Sequence, residues 1–482
     1  MSLCCYCTNP SGEPQPRTTN HKHSLYQLDP IAALATAPGI GAIAVLRVSG
    51  EGAIAITNRM FRGKDLTRQD SHTAHFGTLR NRQDGVIDEV VVTVFRSPRS
   101  FTKEDVVEIS CHGSEFIIQQ ILRRLTQEGV RLARPGEFTQ RAFLNGQFDL
   151  VQAEAVADLI ASDSDASHRA ALTQLRGGFS KQLKTLRQQL IDFVALVELE
   201  LDFGEEDVEF AHRDQLRQLM SDIRRVLQPL IDSFSAGNVI KNGVPTVIVG
   251  KPNAGKSTLL NALLNEEKAI VSDIPGTTRD TIEDELFIDG IRFRLIDTAG
   301  LREATDRIEA IGIERTQQKM REAALVMYLF DGLNIRLDEL REAVANVRES
   351  GKPYLLVGNK VDAIDEEKRQ RLDVVANEMV VWISAAQQTG LAGLKAALSA
   401  RVRTDAAVQP GSAVVTNARH YEHLTGTDDA LARALAGLDA GATPDWLAMD
   451  LRTALQHLGE LTGEITTDDL LDSIFSKFCI GK

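Results

Sequence analysis

Gly250-Lys251-Pro252-Asn253-Ala254-Gly255-Lys256-Ser257 follows a β-rich run, Val244–Val249, and opens a helical one, Ser257–Leu264. The pattern is G-x-x-x-x-G-K-S between a strand and a helix, the arrangement of a phosphate-binding P-loop. Its glycines let backbone N–H groups close on phosphate oxygens, and the helix N-terminus adds the positive end of its dipole. Lys256 would carry a point charge to the β and γ oxygens of a nucleotide, and Ser257 a hydroxyl to Mg²⁺. Working outward, the chain reads as α/β from about Gly243 to about Ala400.

Three further elements follow in order, each at a strand end. Leu295-Ile296-Asp297-Thr298-Ala299-Gly300 closes a strand with D-T-A-G. Asp297 can hold Mg²⁺ through water, and Gly300 can offer its N–H to a γ-phosphate. Tyr354–Val357 runs into Asn359-Lys360-Val361-Asp362, the N-K-x-D pattern. A carboxylate at Asp362 pairs with two N–H groups on the edge of guanine that adenine cannot match. Val381–Ile383 then leads to Ser384-Ala385-Ala386, a loop whose backbone can reach the guanine O6. Together these elements imply a guanine-nucleotide site with hydrolytic capacity. After D-T-A-G stands Leu301, where many regulatory GTPases carry a glutamine that orients the attacking water. Leucine cannot hydrogen-bond, so the water must be oriented by another group, with Arg302, Glu303, Asp306 and Glu309 the nearest candidates.

The chain around this unit is long enough, at 482 residues, for two or three domains. Residues 1–28 read as a disordered leader in which Cys4, Cys7, His21 and His23 have a spacing unlike the usual zinc pattern. An α+β domain is expected over 29–146, with strands at Ile43–Val48 and Val86–Phe95 and a helix at Phe116–Leu125. Helices take over from Leu150, with an apolar stripe through Leu183, Leu186, Leu190, Val194, Val197 and Leu201. After Pro410 the chain is helical again, and Thr443-Pro444-Asp445 reads as an N-cap followed by proline at the first helical position. The expected segments are therefore 29–146, 147–241, 242–405 and 406–482, with the α/β unit inserted into a helical domain. Five cysteines, scattered apart from a cluster at Cys4, Cys5 and Cys7, make no disulfide framework, no apolar run reaches membrane-spanning length, and a cytoplasmic location is expected. A net charge of −13 disfavours nucleic-acid binding except through a local basic face or a partner. The acidic run Asp202, Glu205, Glu206, Asp207 and Glu209 reads as a solvated helix end or loop.

Gly276-Thr277-Thr278-Arg279-Asp280, Leu301, the run Arg134–Asn145 and the ending Cys479-Ile480-Gly481-Lys482 resemble the MnmE (TrmE) family of tRNA modification GTPases, among the TrmE-Era-EngA-like GTPases related to translation factors. The resemblance runs from about Ile31 to Lys482 and implies a multidomain α/β protein. Its parts would be an N-terminal α+β folate-binding domain that dimerises, a discontinuous α-helical bundle and an inserted Ras-like P-loop G domain. It implies a K⁺-stimulated GTPase acting with the FAD- and NADH-using partner MnmG on C5 of the wobble uridine of certain tRNAs. The one-carbon donor would be 5,10-methylenetetrahydrofolate, with 5-formyltetrahydrofolate as an analogue.

Carried over by motif, Ser257 and Thr278 would ligate Mg²⁺, and Asn253, Ser272, Ile274 and Thr277 would contact K⁺, which supplies the charge of an arginine finger. The nucleotide contacts would come from Asn253–Thr258, Ser272, Asp273, Ile274, Pro275, Gly276, Thr277, Thr278, Asp297, Thr298, Ala299, Gly300, Asn359, Lys360, Asp362, Ser384, Ala385 and Ala386, including Ala254, Gly255, Lys256 and Thr258. Glu309 matches the family's water-orienting glutamate, and Arg279 and Asp280 join it as catalytic candidates. Folate contacts would be Arg47, Glu108, Gln147 (where the family often has lysine) and Lys482. Cys479 reads equally as a nucleophile near the folate or as a buried packing thiol. The competing readings are a ribosome-assembly or signalling GTPase without modification chemistry, and a folate enzyme with a vestigial G domain.

Overall fold

The computed structural model describes residues 29–202, 213–268, 284–296, 318, 320–405 and 413–481. They group into two compact units, one of residues 29–154 with 466–481 and one of residues 155–465. The acidic run from Glu205 and the cysteines and histidines of the leader lie outside the described residues.

The first unit is built on strands β1 (Ile31–Leu34), β2 (Gly41–Ser49), β3 (Phe61–Arg62), β4 (Thr73–Arg80), β5 (Val86–Phe95), β6 (Val106–Gly113) and β7 (Arg131–Leu132). They form one sheet in the order β3-β4-β5-β6-β2-β1-β7. Along β5 the burial alternates, with Val90, Val92 and Val94 inside and Glu89 and Val91 outside, as a sheet with one covered face requires. The covered face packs Leu46, Val48 and Ile109 against Ile118, Ile121 and Leu125 of the Glu115–Gln127 helix. Ile31 and Ala33 join Ala133 and Phe138 in a second, smaller cluster.

The end of the chain belongs to this unit. Residues 466–481 group with the N-terminal sheet. The reason is a specific docking surface. Thr467 caps the Asp468–Phe475 helix by accepting from the Leu470 amide at 3.3 Å. The Phe475 ring packs beside those of Phe143 and Phe478, and Ile480 forms an antiparallel bridge with Pro135. The Gly136 amide donates to the Cys479 carbonyl at 3.3 Å. Gly136 has φ 67°, and a Cβ there would press on the Phe475 backbone, so the position requires glycine on both counts.

Beneath the tail lies an ionic network centred on Arg141, which is only 2% exposed. Its guanidinium donates to Asp29 at 3.0 Å and Glu137 at 3.2 Å, and approaches Glu104 at 3.4 Å. Ser49 donates to Glu104 at 2.7 Å, which ties the end of β2 into the same network. Burial alone would raise the Glu137 carboxyl, but hydrogen bonds from Arg131 and the Arg134 amide, with the charges of Arg131 and Arg141, hold it below its ordinary 4.5. A carboxylate depressed in this way stabilises the fold above that ordinary value, and the contribution is lost as pH falls through the lower folded value.

The second unit combines helices Asp165–Leu175, Ser180–Asp202, Arg213–Asp232, Phe234–Asn242, Ala418–Asp439 and Pro444–Thr462 with a second sheet. Leu183, Leu190, Val194 and Val197 of the expected stripe are buried. Pro444 does start its helix, but the Thr443 side chain makes no capping hydrogen bond. The sheet contains β8 (Val244–Val249), β9 (Asp284–Ile288), β10 (Ile291–Leu295), β11 (Leu325–Asp331), β12 (Tyr354–Asn359) and β13 (Val380–Trp382), in the order β13-β12-β11-β8-β10-β9. All neighbours are parallel except β9 against β10. Both faces are covered: Met327 and Leu329 pack on one side with Leu259, Leu263 and Leu394, and Val326, Tyr328 and Phe330 on the other with Leu340 and Val344. With β8 flanked by β10 and β11, the chain reverses its winding there, and such sheets bind ligands at that point beyond the strands' carboxyl ends. No helix among the described residues is long and apolar enough to cross a membrane.

Replacing Arg141 with alanine would leave the mostly buried Glu104 without a cationic partner, while Arg131 still pairs with Glu137 and Asp29, and should cost about 1–3 kcal/mol. Hydrogen exchange of the β1 and β2 amides in the full chain should quicken accordingly, and unchanged protection would contradict the role given to Arg141.

Candidate functional site

Beyond the end of β8 the 250–255 loop turns into the Lys256–Lys268 helix. Lys256 folds back over this loop, its ammonium donating to the carbonyls of Gly250 at 2.7 Å and Lys251 at 2.9 Å. Burial lowers its pKa from the ordinary lysine value, and no carboxylate among the described residues pairs with it. A partly desolvated cation held only by carbonyls, at a helix N-terminus, is a cradle for a polyphosphate. Ser257 follows in the first turn of that helix, and Asn253 sits in the left-handed region at φ 63°.

Asn359, at the end of β12 and 3% exposed, reaches the loop from the side. Its amide donates to the Ala254 carbonyl at 2.8 Å, while its oxygen accepts from the Ala385 amide at 3.0 Å. Gly255, at φ 97°, lies so close that any Cβ would collide with the Asn359 amide nitrogen. One side chain therefore joins the phosphate loop to the Ser384–Ala386 loop. Ser384 is pinned by a backbone bridge to Thr389, and Ala386 is exposed.

Lys360 follows at φ 64°, and its ammonium donates to Asp331 at 2.7 Å. Burial works to raise the Asp331 carboxyl, but Lys360, the Asn334 side chain and the Leu333 amide together hold it below its ordinary value. Asp362 is exposed and accepts from the Gln387 side chain at 3.3 Å. Asp331 was not among the expected site residues; its signal is a carboxylate ending the apolar run Leu325–Phe330. Ser272, Asp273, Ile274, Pro275, Gly276, Thr277, Thr278, Arg279, Asp280, Asp297, Thr298, Ala299, Gly300, Leu301 and Glu309 lie outside the described residues.

A second constellation lies in the first unit. Arg47 on β2 and Glu108 on β6 are directly opposite in the strand register. The guanidinium donates twice to one carboxylate oxygen, at 3.0 and 2.8 Å. Its carbon stands 5.4 Å from the Phe101 ring centre and 5.7 Å from that of Phe138, within cation–π range. Phe148, one residue beyond Gln147, packs on Phe101 at 5.7 Å. The Gln147 amide donates to the Ala142 carbonyl, and Lys103 donates to the carbonyl of neighbouring Gly146 at 2.7 Å. Neither aromatic flank of Arg47 nor Lys103 was expected; nothing in their local sequence marks them. Gly481 packs on the Leu34 backbone, while Lys482 lies outside the described residues. Cys479 is exposed, which removes the reading of it as a buried packing thiol: the tail holds it by its carbonyl and leaves the thiol outside.

Asn359→Ala would strand both a carbonyl and an amide, at about 1–3 kcal/mol. Titration with a fluorescent guanine nucleotide should therefore show Kd rising about 10- to 100-fold. An unaltered Kd would remove the bridge from the binding site.

Residues 30–147 match the family described as "GTP-binding protein TrmE N-terminus", and residues 150–479 match "MnmE helical domain". The tRNA modification GTPase MnmE of Cytophaga hutchinsonii is 56% identical over 469 residues, covering 96% of this chain and 99% of that protein. The proteins of the same description from Flavobacterium johnsoniae and Bacteroides fragilis are each 51% identical, covering 94% of this chain and 99% of theirs. Matched along almost its whole length, this chain belongs to the family of tRNA modification GTPases called MnmE or TrmE.

Proposed function

We propose that this chain hydrolyses GTP as one half of a homodimer that, with MnmG, modifies C5 of the wobble uridine of certain tRNAs in the cytoplasm. The observation that carries this reading is the pairing, in one chain, of the Asn359-bridged nucleotide loops with the Arg47–Glu108 constellation. A ribosome-assembly or signalling GTPase would need only the first. In this reading residues 242–405 are a G domain inserted into a helical domain, and residues 29–146 with the docked tail hold the folate.

Each residue has a task. The loop 250–255 and Lys256 would hold the phosphates, and Asp362 would read guanine. Asn359 and Asp331 keep the base-reading loop and Lys360 in register. The hydroxyl of Ser257 and that of Thr278 suit a hard divalent cation such as Mg²⁺. Asn253, with Ser272, Ile274 and Thr277, suits K⁺. Bound there, the two ions would neutralise charge developing on the phosphoryl group. Glu309 would orient water in place of the glutamine that Leu301 excludes, with Arg279 and Asp280 beside it. Arg47, between two aromatic rings and paired to Glu108, suits a flat heteroaromatic ring bearing hydrogen-bonding edges, as in 5,10-methylenetetrahydrofolate or its analogue 5-formyltetrahydrofolate. Gln147 would add a neutral hydrogen bond and Lys482 a charge.

Two experiments bear on this. Glu309→Ala should lower kcat by about 100-fold or more while leaving the Kd for GTP within about 2-fold, the signature of an interaction made in the transition state. Exchanging K⁺ for Na⁺ should also slow turnover, and indifference to both changes would rule out this hydrolytic mechanism. For the biological role, mass analysis of wobble uridines from cells lacking the gene should show the C5 modification missing; a complete modification profile would favour the assembly or signalling reading.

A further inference from the structure

We infer that His423, His457 and Glu460 form a zinc site that clamps the Ala418–Asp439 helix to the Pro444–Thr462 helix. His457 and Glu460 are three residues apart on one helix, hence on one face, and His423 meets them from the other. One ligand atom from each of the three lies within 4.8 Å of the other two. The two Nδ1 atoms are 3.4 Å apart, and His423 Nδ1 is 3.5 Å from a Glu460 oxygen.

The separations from His423 to His457 and to Glu460 favour a shared ion over a hydrogen bond. Both are long for a hydrogen bond. A tetrahedral zinc ion with ligands at about 2.0–2.1 Å requires its ligand atoms to stand about 3.3–3.4 Å apart. Two imidazoles and a carboxylate are a donor set suited to zinc, with the fourth position left to water.

The surroundings are built to keep the three groups in place. Gln456 donates to one Glu460 oxygen at 2.9 Å, leaving the other directed at His423. Gly426, inside the facing helix, lies against the His457 ring, where a Cβ would come within 2.7 Å of Nε2. Glycine is unfavourable inside a helix, and here its lack of a side chain makes room for that ring. His423 is 13% exposed and Glu460 27%. Arg419 is directed at the carbonyls of Glu460 and Leu461, at 2.9 and 3.4 Å.

The test uses the full chain carrying Cys4→Ser and Cys7→Ser, so that zinc bound by the leader cannot be mistaken for this site. Zinc titrated against a chromophoric chelator should bind with one tight equivalent and raise the melting temperature. His457→Gln and Glu460→Gln, made separately in that background, should each abolish the tight equivalent and the thermal shift. Without metal, both should melt within a few degrees of their parent, which separates a lost ligand from a lost fold. Cobalt in place of zinc should give the visible bands of a tetrahedral ion without thiolate charge transfer. The proposal is overturned if the parent binds no tight zinc, if both variants bind it as the parent does, or if cobalt reports thiolate ligation.

Discussion

The Asn359 side chain is the constraint on which the nucleotide site depends. Its N–H satisfies one carbonyl in the 250–255 loop and its oxygen one amide in the Ser384–Ala386 loop. Because it is buried, neither bond competes with water, and a change of residue there leaves two backbone groups stranded. The 250–255 loop and the Ser384–Ala386 loop are thereby held together across one side-chain amide. Asp331 repeats the arrangement one strand away by holding Lys360 at the end of β11. The parallel sheet matters to this chemistry mainly because it brings the ends of β8, β11, β12 and β13 to the same edge.

The first unit rests on a different physics. Arg141 is a fully buried charge balanced by carboxylates at Asp29, Glu104 and Glu137, drawn from three separate stretches of chain. Such a network adds little net stability over an apolar core, yet it is intolerant of losing a member. It fixes the Glu137–Leu144 helix, whose preceding glycine receives the tail. The Arg134–Asn145 run and residues Cys479 and Ile480 therefore meet in space. Ile480 and Gly481 add backbone contacts across β1 and Pro135, so the end of the chain closes the same unit that its beginning opens.

What could be read from sequence follows from how local each signal is. The P-loop, N-K-x-D and Ser384–Ala386 are contiguous runs, and the alternation of β5 and the stripe from Leu183 to Val197 are local periodicities. Arg47 and Glu108 came from resemblance, but that they pair with each other follows from the β2–β6 register, which no window of sequence contains. Phe101 and Phe138 flank Arg47 from a loop and a helix, and Asp331 serves Lys360 across neighbouring strands; such partners are set by tertiary packing. Helical periodicity in the tail says what that element is and not what it packs against. His423 and His457 share that fate, since two histidines 34 residues apart carry no spacing signal until two helices are laid side by side.

The division between holding and reacting also has a physical basis. In the reading proposed above, Asp362 would act on a base that is the same in the bound substrate and in the transition state, with Asn359 and Asp331 holding its loops in place, whereas Lys256 would face phosphates whose charge shifts as the bond breaks. Interactions equal in both states tighten binding without lowering the chemical barrier. Leu301 adds nothing to that barrier, since it has no group to present to water. On that reading the determinants of rate would lie with Lys256 and in 272–280 and 297–309, and those of guanine choice in the β12 and β13 loops. Separating the two lets a rigid sheet edge keep its nucleotide while other residues govern when it is cleaved, which is what an enzyme needs if hydrolysis is to time a conformational cycle rather than merely discard GTP.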